Sequence, residues 1–421
     1  MQQLPEDFVR LMHEQYDADT ADALCLALCN TEPEVSIRLN PRKGQPLIIN
    51  NVRAEAVPWC PDAYYLSERP AFTFDPLLHA GAYYVQEASS MYIAELVCKY
   101  LIPVSSSRFQ DSSSQQPTLN FKSNVVALDL CAAPGGKSTL LAGLLPEGSV
   151  LISNEPMPKR AQVLAENMQK WTRVAEGEYP VHCIVTQNYP ADFFAFTDTF
   201  DLLVTDVPCS GEGMFRKDEV AIQDWSLENV DLCWHRQREI LQDIWHTLKP
   251  GGLLIYSTCT FNHFEDEDNA RWICDTLGGE LLEERHFLPG RDRGEGFYCA
   301  AIRKKSLPLP LPRRGDGLGR LEDVFPSLGG GGGGCTLNCL PPAFVVEPDM
   351  PRIELNYNEA LQYLRREAVR VPAPRGMVLL CYKGYVLGPG KCVGNRINNL
   401  YPDQWRIRTT YTTPFSLIAL S

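Results

Sequence analysis

From Asn124 onward, short apolar runs alternate with longer segments whose apolar residues recur every three or four positions. VVALDL precedes STLLAGLL, VLISN precedes KRAQVLAENMQKW, and CIVTQ and FDLLVTDV follow. A helical stretch around Leu232–Leu248, then GLLIYST, EDEDNARWICDTL and FYCAAIRK complete the series. Unbroken apolar runs suit strands covered on both faces, and helical periodicity suits the segments that cover them. The pattern predicts an α/β chain with a doubly wound, mostly parallel sheet; its last strand, reached by a short connection, can run antiparallel at the edge.

The flanks read differently. Residues 1–95 are expected to form an α+β accessory module, with a helix near Pro5–His13, a strand and turn in VSIRLNPRKG, and an amphipathic helix after Gln86. VSSSRFQDSSSQQPTLNFKS reads as a loop within the core segment, residues 96–305. Six consecutive glycines at 329–334 mark residues 306–340 as a linker, and 341–421 carries short strands between Gly/Pro turns, a small β-rich domain.

Composition changes this picture in two places. A net charge of −13 argues against a simple nucleic-acid binder, yet residues 361–421 hold nine Lys/Arg against two acids. A basic tail on an acidic body can hold RNA. Fifteen cysteines form no paired framework, and Cys335 with Cys339 lacks the partners of a zinc site, so reduced thiols and no metal are expected. MQQLPEDFVR has no leader pattern and no apolar run approaches ~18 residues, so the expectation is a cytoplasmic chain without a membrane partner.

Candidate chemistry sits at strand ends. LDLCAAPGGKS opens a helix with glycines, which brings backbone N–H groups towards an anionic ligand. A phosphate loop would need glycine where Cys131 stands, and the dinucleotide fingerprint is missing. Glu155 closes the next strand, placed to accept from ribose hydroxyls. A ribose-bearing ligand with a carboxylate tail fits, and S-adenosyl-L-methionine is one. Two more strand ends carry Asp206 with Cys209, in TDVPCSGEGMFRKD, and Cys259, in GGLLIYSTCTFN.

DLCAAPGGKS, DVPCSGEGMFRKD and LKPGGLLIYSTCTFNHFEDE, with VSIRLNP and YYVQEASS, resemble the Nol1/Nop2/Sun family of RNA cytosine-5 methyltransferases over roughly residues 35–305. The closing stretch YKGYVLGPGKCVGNRINNLYPDQWRI resembles the PUA-like RNA-binding extension of a bacterial subgroup (F) acting on small-subunit ribosomal RNA. The resemblance implies a Rossmann-like methyltransferase core, with the donor held by Cys131, Ala132, Ala133, Pro134, Gly135, Gly136, Lys137, Glu155 and Asp206. The third strand end is assigned to Asn188, with Gln187 as the alternative occupant. It further implies Cys259 as nucleophile at carbon-6 of a cytidine and Cys209 as the release residue. Asp206, in its protonated form, assists at ring nitrogen-3, and Lys137 with the donor's sulfonium favours the thiolate. RNA is then the partner, expected to be small-subunit ribosomal RNA, with no DNA and a monomeric enzyme. A non-catalytic assembly factor and a DNA methyltransferase, in which Cys209 would attack, are the rival readings.

Other residues keep two readings each. Arg216 and Lys217 touch phosphate or are solvated; Arg38 and Asn40 meet the target nucleotide or close a turn. His235 and Gln237 order the loop after Pro208. Tyr83 and Tyr84 read as core, while Tyr382, Tyr385, Tyr401 and Trp405, interleaved with the basic residues, are expected to stack exposed bases.

Overall fold

The computed structural model describes residues 3–43, 47–49, 54–102, 124–174, 178–306, 337–347, 349–409 and 418–420. The Ser/Gln-rich stretch and the glycine run lie outside the described residues.

The chain opens with α1 (Glu6–Gln15) and α2 (Ala18–Asn30), the second capped by the Asp17 side chain on the Thr20 N–H at 3.0 Å. α1 buries Phe8, Leu11 and Met12, and the Phe8 ring meets Phe215 at 5.1 Å and Trp225 at 5.5 Å. These helices therefore roof the loop that carries the first cysteine. β1 (Val35–Leu39), β2 (Leu47–Ile49), β3 (Ala54–Ala56), β4 (Ala63–Leu66), α3 (Pro76–His79) and β5 (Tyr83–Val85) follow. Four of the strands form an antiparallel sheet in the order β3-β4-β1-β5. α4 (Ile93–Tyr100) turns Ile93, Ala94, Leu96 and Val97 into the core of the central sheet.

That sheet has seven strands. Its elements are β6 (Val126–Asp129), α5 (Gly136–Leu144), β7 (Val150–Asn154), α6 (Pro158–Thr172), β8 (His182–Thr186), β9 (Phe200–Asp206), α7 (Glu219–Asp224), α8 (Leu227–Ile244), β10 (Leu248–Thr258), α9 (Glu267–Thr276), β11 (Gly279–Phe287) and β12 (Phe297–Lys304). The order is β11-β12-β10-β9-β6-β7-β8, parallel from β10 to β8, so the winding reverses between β6 and β9. A doubly wound sheet binds ligands at the carboxyl ends flanking such a reversal. One expectation is corrected: β12 is antiparallel but lies inside, between β10 and β11. β11, GELLEERHF, takes the edge with mostly half-exposed residues, and without an apolar run it gives no strand signal.

The C-terminal part comprises β13 (Arg352–Glu354), α10 (Tyr357–Leu364), β14 (Gly376–Tyr382), β15 (Tyr385–Cys392), β16 (Ile397–Asn399) and β17 (Ile418–Leu420). The first four of these strands make one sheet, and β17 pairs antiparallel with β2. α10 starts at a capping box, Asn356 with Glu359. Its apolar face and β14 share one core with β1, α3 and β5: Ile37, Leu39, Leu77 and Tyr83 against Leu361, Tyr363, Val378 and Leu380. This overturns the stacking role expected of the C-terminal aromatics. Tyr382, Tyr401 and Trp405 are 8%, 0% and 6% exposed, and Tyr385 donates its hydroxyl to the Lys43 carbonyl at 2.9 Å. The antiparallel sheet of the N-terminal module needs a cover on its apolar side, and these rings supply it. No helix among the described residues is long and apolar enough to cross a membrane.

Candidate active site

The turn after β6 is built to keep backbone close to a ligand. Gly135 sits at φ +116, a left-handed conformation open to glycine, and caps α5. α6 clamps the turn from outside: Asn167 donates to the Pro134 carbonyl at 2.8 Å and Arg160 to that of Ala133 at 3.0 Å. Under it, Asp129 accepts from Ser138 at 2.6 Å, and burial lifts its carboxyl to about 7. Asn154 ties three strand ends together, donating to the carbonyls of Leu130 and Asn188 and accepting from the Asn188 N–H at 3.0 Å. Glu155 is 1% exposed, with one oxygen on the Met157 N–H at 3.1 Å and the other 3.5 Å from Arg160.

A cavity of about 290 Å³ opens above the turn. One wall is Cys131, Ala132, Ala133, Pro134, Gly136, Lys137, Asp206 and Cys259; Gln86, Glu87, Glu295 and Phe297 line the other side. Glu155 and Asn188 do not line it and stand behind, at the adjacent strand ends. Gln187 is half-buried, and its backbone N–H is taken by the Asn338 carbonyl. Two orphaned buried atoms, Asp129 Oδ1 and Asn188 Nδ2, flank the turn without partners among the described residues. Unpaired polar atoms around a concave turn are what a polar ligand completes, so the residues fit a ribose-bearing methyl donor.

The reactive groups meet where β9 and β10 end in parallel register, Asp206 opposite Ser257. Asp206 accepts from Ser257 at 2.9 Å through Oδ1, and its Oδ2 faces Lys137 Nζ at 2.8 Å. Burial alone would lower the Lys137 ammonium, yet the Asp206 carboxylate outweighs it and holds Lys137 above its usual range. Cys209 Sγ lies 3.3 Å from Cys259 Sγ. The hydrogen bond with Cys259, then burial, push the Cys209 thiol well above its ordinary value. Gly213 makes this packing possible: its N–H donates to the Cys259 carbonyl at 2.8 Å, and a Cβ there would stand 2.8 Å from that oxygen.

Comparison with known proteins finds matches along most of the chain. The model for 16S rRNA methyltransferase RsmB/F matches residues 116–303, that for the N-terminal domain of 16S rRNA methyltransferase RsmF residues 4–88, and that for the methyltransferase RsmF PUA domain residues 351–407. Successive segments of the chain thus match the RsmF N-terminal domain, the RsmB/F methyltransferase core and the RsmF PUA domain. It is 30% identical over 343 residues to ribosomal RNA small subunit methyltransferase F of Cronobacter sakazakii, a match covering 73% of this chain and 65% of that protein. The same-named Aeromonas hydrophila protein is 27% identical over 495 residues, covering 95% of this chain and 97% of that protein. A methyltransferase homolog from Pyrococcus horikoshii superposes with a TM-score of 0.56 at 22% identity, covering 71% of this chain and 95% of that one. In its match to the first of these relatives, the chain spans about two thirds of their length, 65%.

A buried floor supports both cysteines. Glu212 accepts from the Phe261 N–H at 2.6 Å, from Trp225 at 3.0 Å and from Asn262 at 2.9 Å. Glu265, lifted by burial to about 7, accepts from the Ser210 N–H, Asn262 and Gln237. Gln237 also donates to the Pro208 carbonyl at 3.0 Å, ordering that loop; His235 is exposed and does not. Glu212 and Glu265 lie inside the motifs already quoted, but a sequence gives no sign that two acids are buried there. Gln86, Glu87, Glu295 and Phe297 had no assigned role either, because they reach the cavity from separate elements. Arg38 and Asn40 are buried braces: Arg38 donates to Thr139 at 2.6 Å and Asn40 to the Trp171 carbonyl at 2.8 Å. Arg216 donates to the Gly294 carbonyl and Lys217 pairs with Glu295, which ties the far wall to the Cys209 loop. Behind Thr258, Asp266, Glu267 and His286 gather, with the imidazole nitrogens 3.4 Å from Asp266 and 3.3 Å from Glu267.

Proposed function

We propose that this chain methylates carbon-5 of a cytidine in small-subunit ribosomal RNA, with Cys259 as nucleophile, Cys209 as release residue and Asp206 at the base. The two thiols 3.3 Å apart beside the Lys137–Asp206 pair carry the reading. S-adenosylmethionine, held by residues 131–137 with Glu155 and Asn188, supplies an electrophilic methyl group. Carbon-5 of cytosine is too weak a nucleophile to take it unaided. Cys259 adding at carbon-6 makes carbon-5 electron-rich, the logic of an activated nucleophile. The Lys137 ammonium favours that thiolate and the charge growing on the ring, while Asp206 faces the polar edge of the base. After transfer water takes the carbon-5 proton, the electrons of that bond restore the ring double bond as the bond to Cys259 breaks, and Cys209 gives its proton to the departing sulfur. The cytidine has to leave its stack to be reached from both sides. The reading extends to the reducing cytoplasm, in keeping with free thiols at every described cysteine, and to a monomeric enzyme.

Labelled methyl from S-adenosylmethionine should appear as 5-methylcytidine in small-subunit RNA incubated with the protein. Absence of transfer to naked RNA and to assembled subunits alike would leave a non-catalytic RNA-binding factor.

A further inference from the structure

Just ahead of the C-terminal domain the chain returns to the donor side of the central sheet. Residues 337–340 lie antiparallel along the outer edge of β8. The Gln187 N–H donates to the Asn338 carbonyl at 2.8 Å, the Leu340 N–H to that of Val185 at 2.9 Å, and Cys339 stands opposite Thr186. Leu337 and Leu340 pack into the cores on the two faces of the sheet. This strap does more than cover an edge, because the Asn338 N–H donates to Oδ1 of Asn188 at 3.1 Å. A backbone N–H can only donate, so the amide of Asn188 has one orientation, oxygen to the strap and nitrogen away. That nitrogen is buried and has no partner among the described residues, while the Asn188 backbone is held separately by Asn154. A buried donor that its own chain leaves unpaired is completed by something bound.

We propose that residues 337–340 are a working part of the methyl-donor site, with Asn338 a positioning residue that offers Asn188 Nδ2 to an acceptor nitrogen of the donor's adenine ring. The inference rests on the donor reading above. It also connects the two ends of the enzyme. The strap continues into Ala343, whose N–H donates to Gln169 of α6 at 2.8 Å, and Phe344, whose ring lies 5.9 Å from Trp405 of the C-terminal domain. Donor binding and seating of that domain are therefore linked, and linkage is reciprocal.

Full-length Asn338→Pro loses the donated N–H but keeps the carbonyl used by Gln187. Calorimetric titration with S-adenosylhomocysteine should show binding weakened about tenfold, the scale of one buried hydrogen bond. Asn188→Ala should match it, the double variant should add nothing further, and the KM for the donor should rise without that for RNA. Asn188→Asp keeps the oxygen and loses the N–H, so it should bind no better than Asn188→Ala. Wild-type affinity in Asn338→Pro or Asn188→Asp, or additive losses, overturns the proposal. Should Asn338→Pro not fold, hydrogen exchange in the unaltered protein decides. Saturating S-adenosylhomocysteine should slow the Asn338 amide about tenfold, and unchanged exchange sinks the idea. Failure of S-adenosylhomocysteine to bind the unaltered protein would remove the donor reading itself, and the strap's role with it.

Discussion

The floor under Cys209 and Cys259 is polar throughout, whereas the seam between the N-terminal module and the C-terminal domain is almost wholly apolar. Glu212, Glu265, Asn262 and Gln237 hold the floor through directed bonds to backbone and to one another. Ile37, Leu77, Leu361, Leu380, Tyr401 and Trp405 pack across the seam, with the Tyr385 and Tyr357 hydroxyls on the Lys43 and Phe74 carbonyls. Burying two carboxylates is unfavourable, and the raised Glu265 reports that strain. What the floor gains is direction: hydrogen bonds fix two thiols 3.3 Å apart, which non-directional packing could not do. The seam gains area, about 1.5–3 kcal/mol for each large apolar side chain buried. Geometry is made in one place and stability in the other.

The sharpest way to break this contrast is at the thiols. Cys259→Ala should lower turnover about 10⁴-fold or more and form no covalent RNA complex. Cys209→Ala should still add and transfer, then stall, leaving a nuclease-sensitive slow band on a denaturing gel. The double variant should show no band. A band from Cys259→Ala alone would reverse the two roles while leaving the floor's geometry in place.

The same contrast explains what a sequence reveals. β6, β7, β9 and β10 are legible because each carries a run of apolar residues buried on both faces. The turn at Gly135 and the thiol-bearing ends at Cys209 and Cys259 are legible because their residue types are unusual at strand ends. β11 is not, since an edge strand keeps no apolar run. The pairing of β2 with β17 joins segments too distant for any local pattern. Tyr401 and Trp405 mislead for a physical reason: an aromatic ring beside arginines looks alike whether it faces a base or a neighbouring sheet. The floor's acids are written in plain motifs, but their burial belongs to the tertiary structure.

Stability should then separate from catalysis. Leu361→Ala, on the seam, should cost about 2–5 kcal/mol in chemical unfolding while kcat at saturating substrates stays level. Gln237→Leu, in the floor, removes the donor to the Pro208 carbonyl and one of the three donors to Glu265, and should cost less, about 1–3 kcal/mol. Its kcat should nevertheless fall, because Cys209 follows Pro208 directly. A drop in kcat from Leu361→Ala as large as that from Gln237→Leu would erase the distinction.

A smaller effect follows from protons. Glu265 and Asp129 have folded values of about 7 against ordinary values of 4.5 and 3.8, both raised by burial. Between the ordinary and folded values the native chain binds more protons than the unfolded one. Stability should therefore fall as pH rises from about 4 to 7 and level off above, by at most about 1.4 kcal/mol per pH unit for each group. Asp266, also raised well above its ordinary value by burial, acts in the same direction, and Asp75 in the seam adds a step ending at about 6. Glu265→Gln should remove its share of the slope, seen in urea unfolding at pH 5 and pH 8. Leu361→Ala should lower both values together. An unchanged slope in Glu265→Gln would show that the floor does not hold that proton.

The smallest effect concerns what the C-terminal domain offers to RNA once its aromatic rings are committed to the seam. Arg370, Arg375, Lys391 and Arg396 are all exposed. Strand pairing sets Gly376 opposite Cys392, Lys391 opposite Asn398 and Val369 opposite Ile397, which gathers the four cations at one end of the sheet. None forms an ion pair among the described residues, whereas Arg366 and Arg406 share Asp403. A free cation that meets phosphate releases a counterion, and a cation already paired with an acid has less to release. Each of the four, changed to alanine, should therefore lower the slope of log K against log salt by about 0.7–0.9 and weaken all RNA sequences alike. Arg366→Ala should move the slope far less, since Asp403 already answers its charge. Equal changes from Lys391→Ala and Arg366→Ala would mean that RNA reads the whole charge of the domain rather than this one end of its sheet.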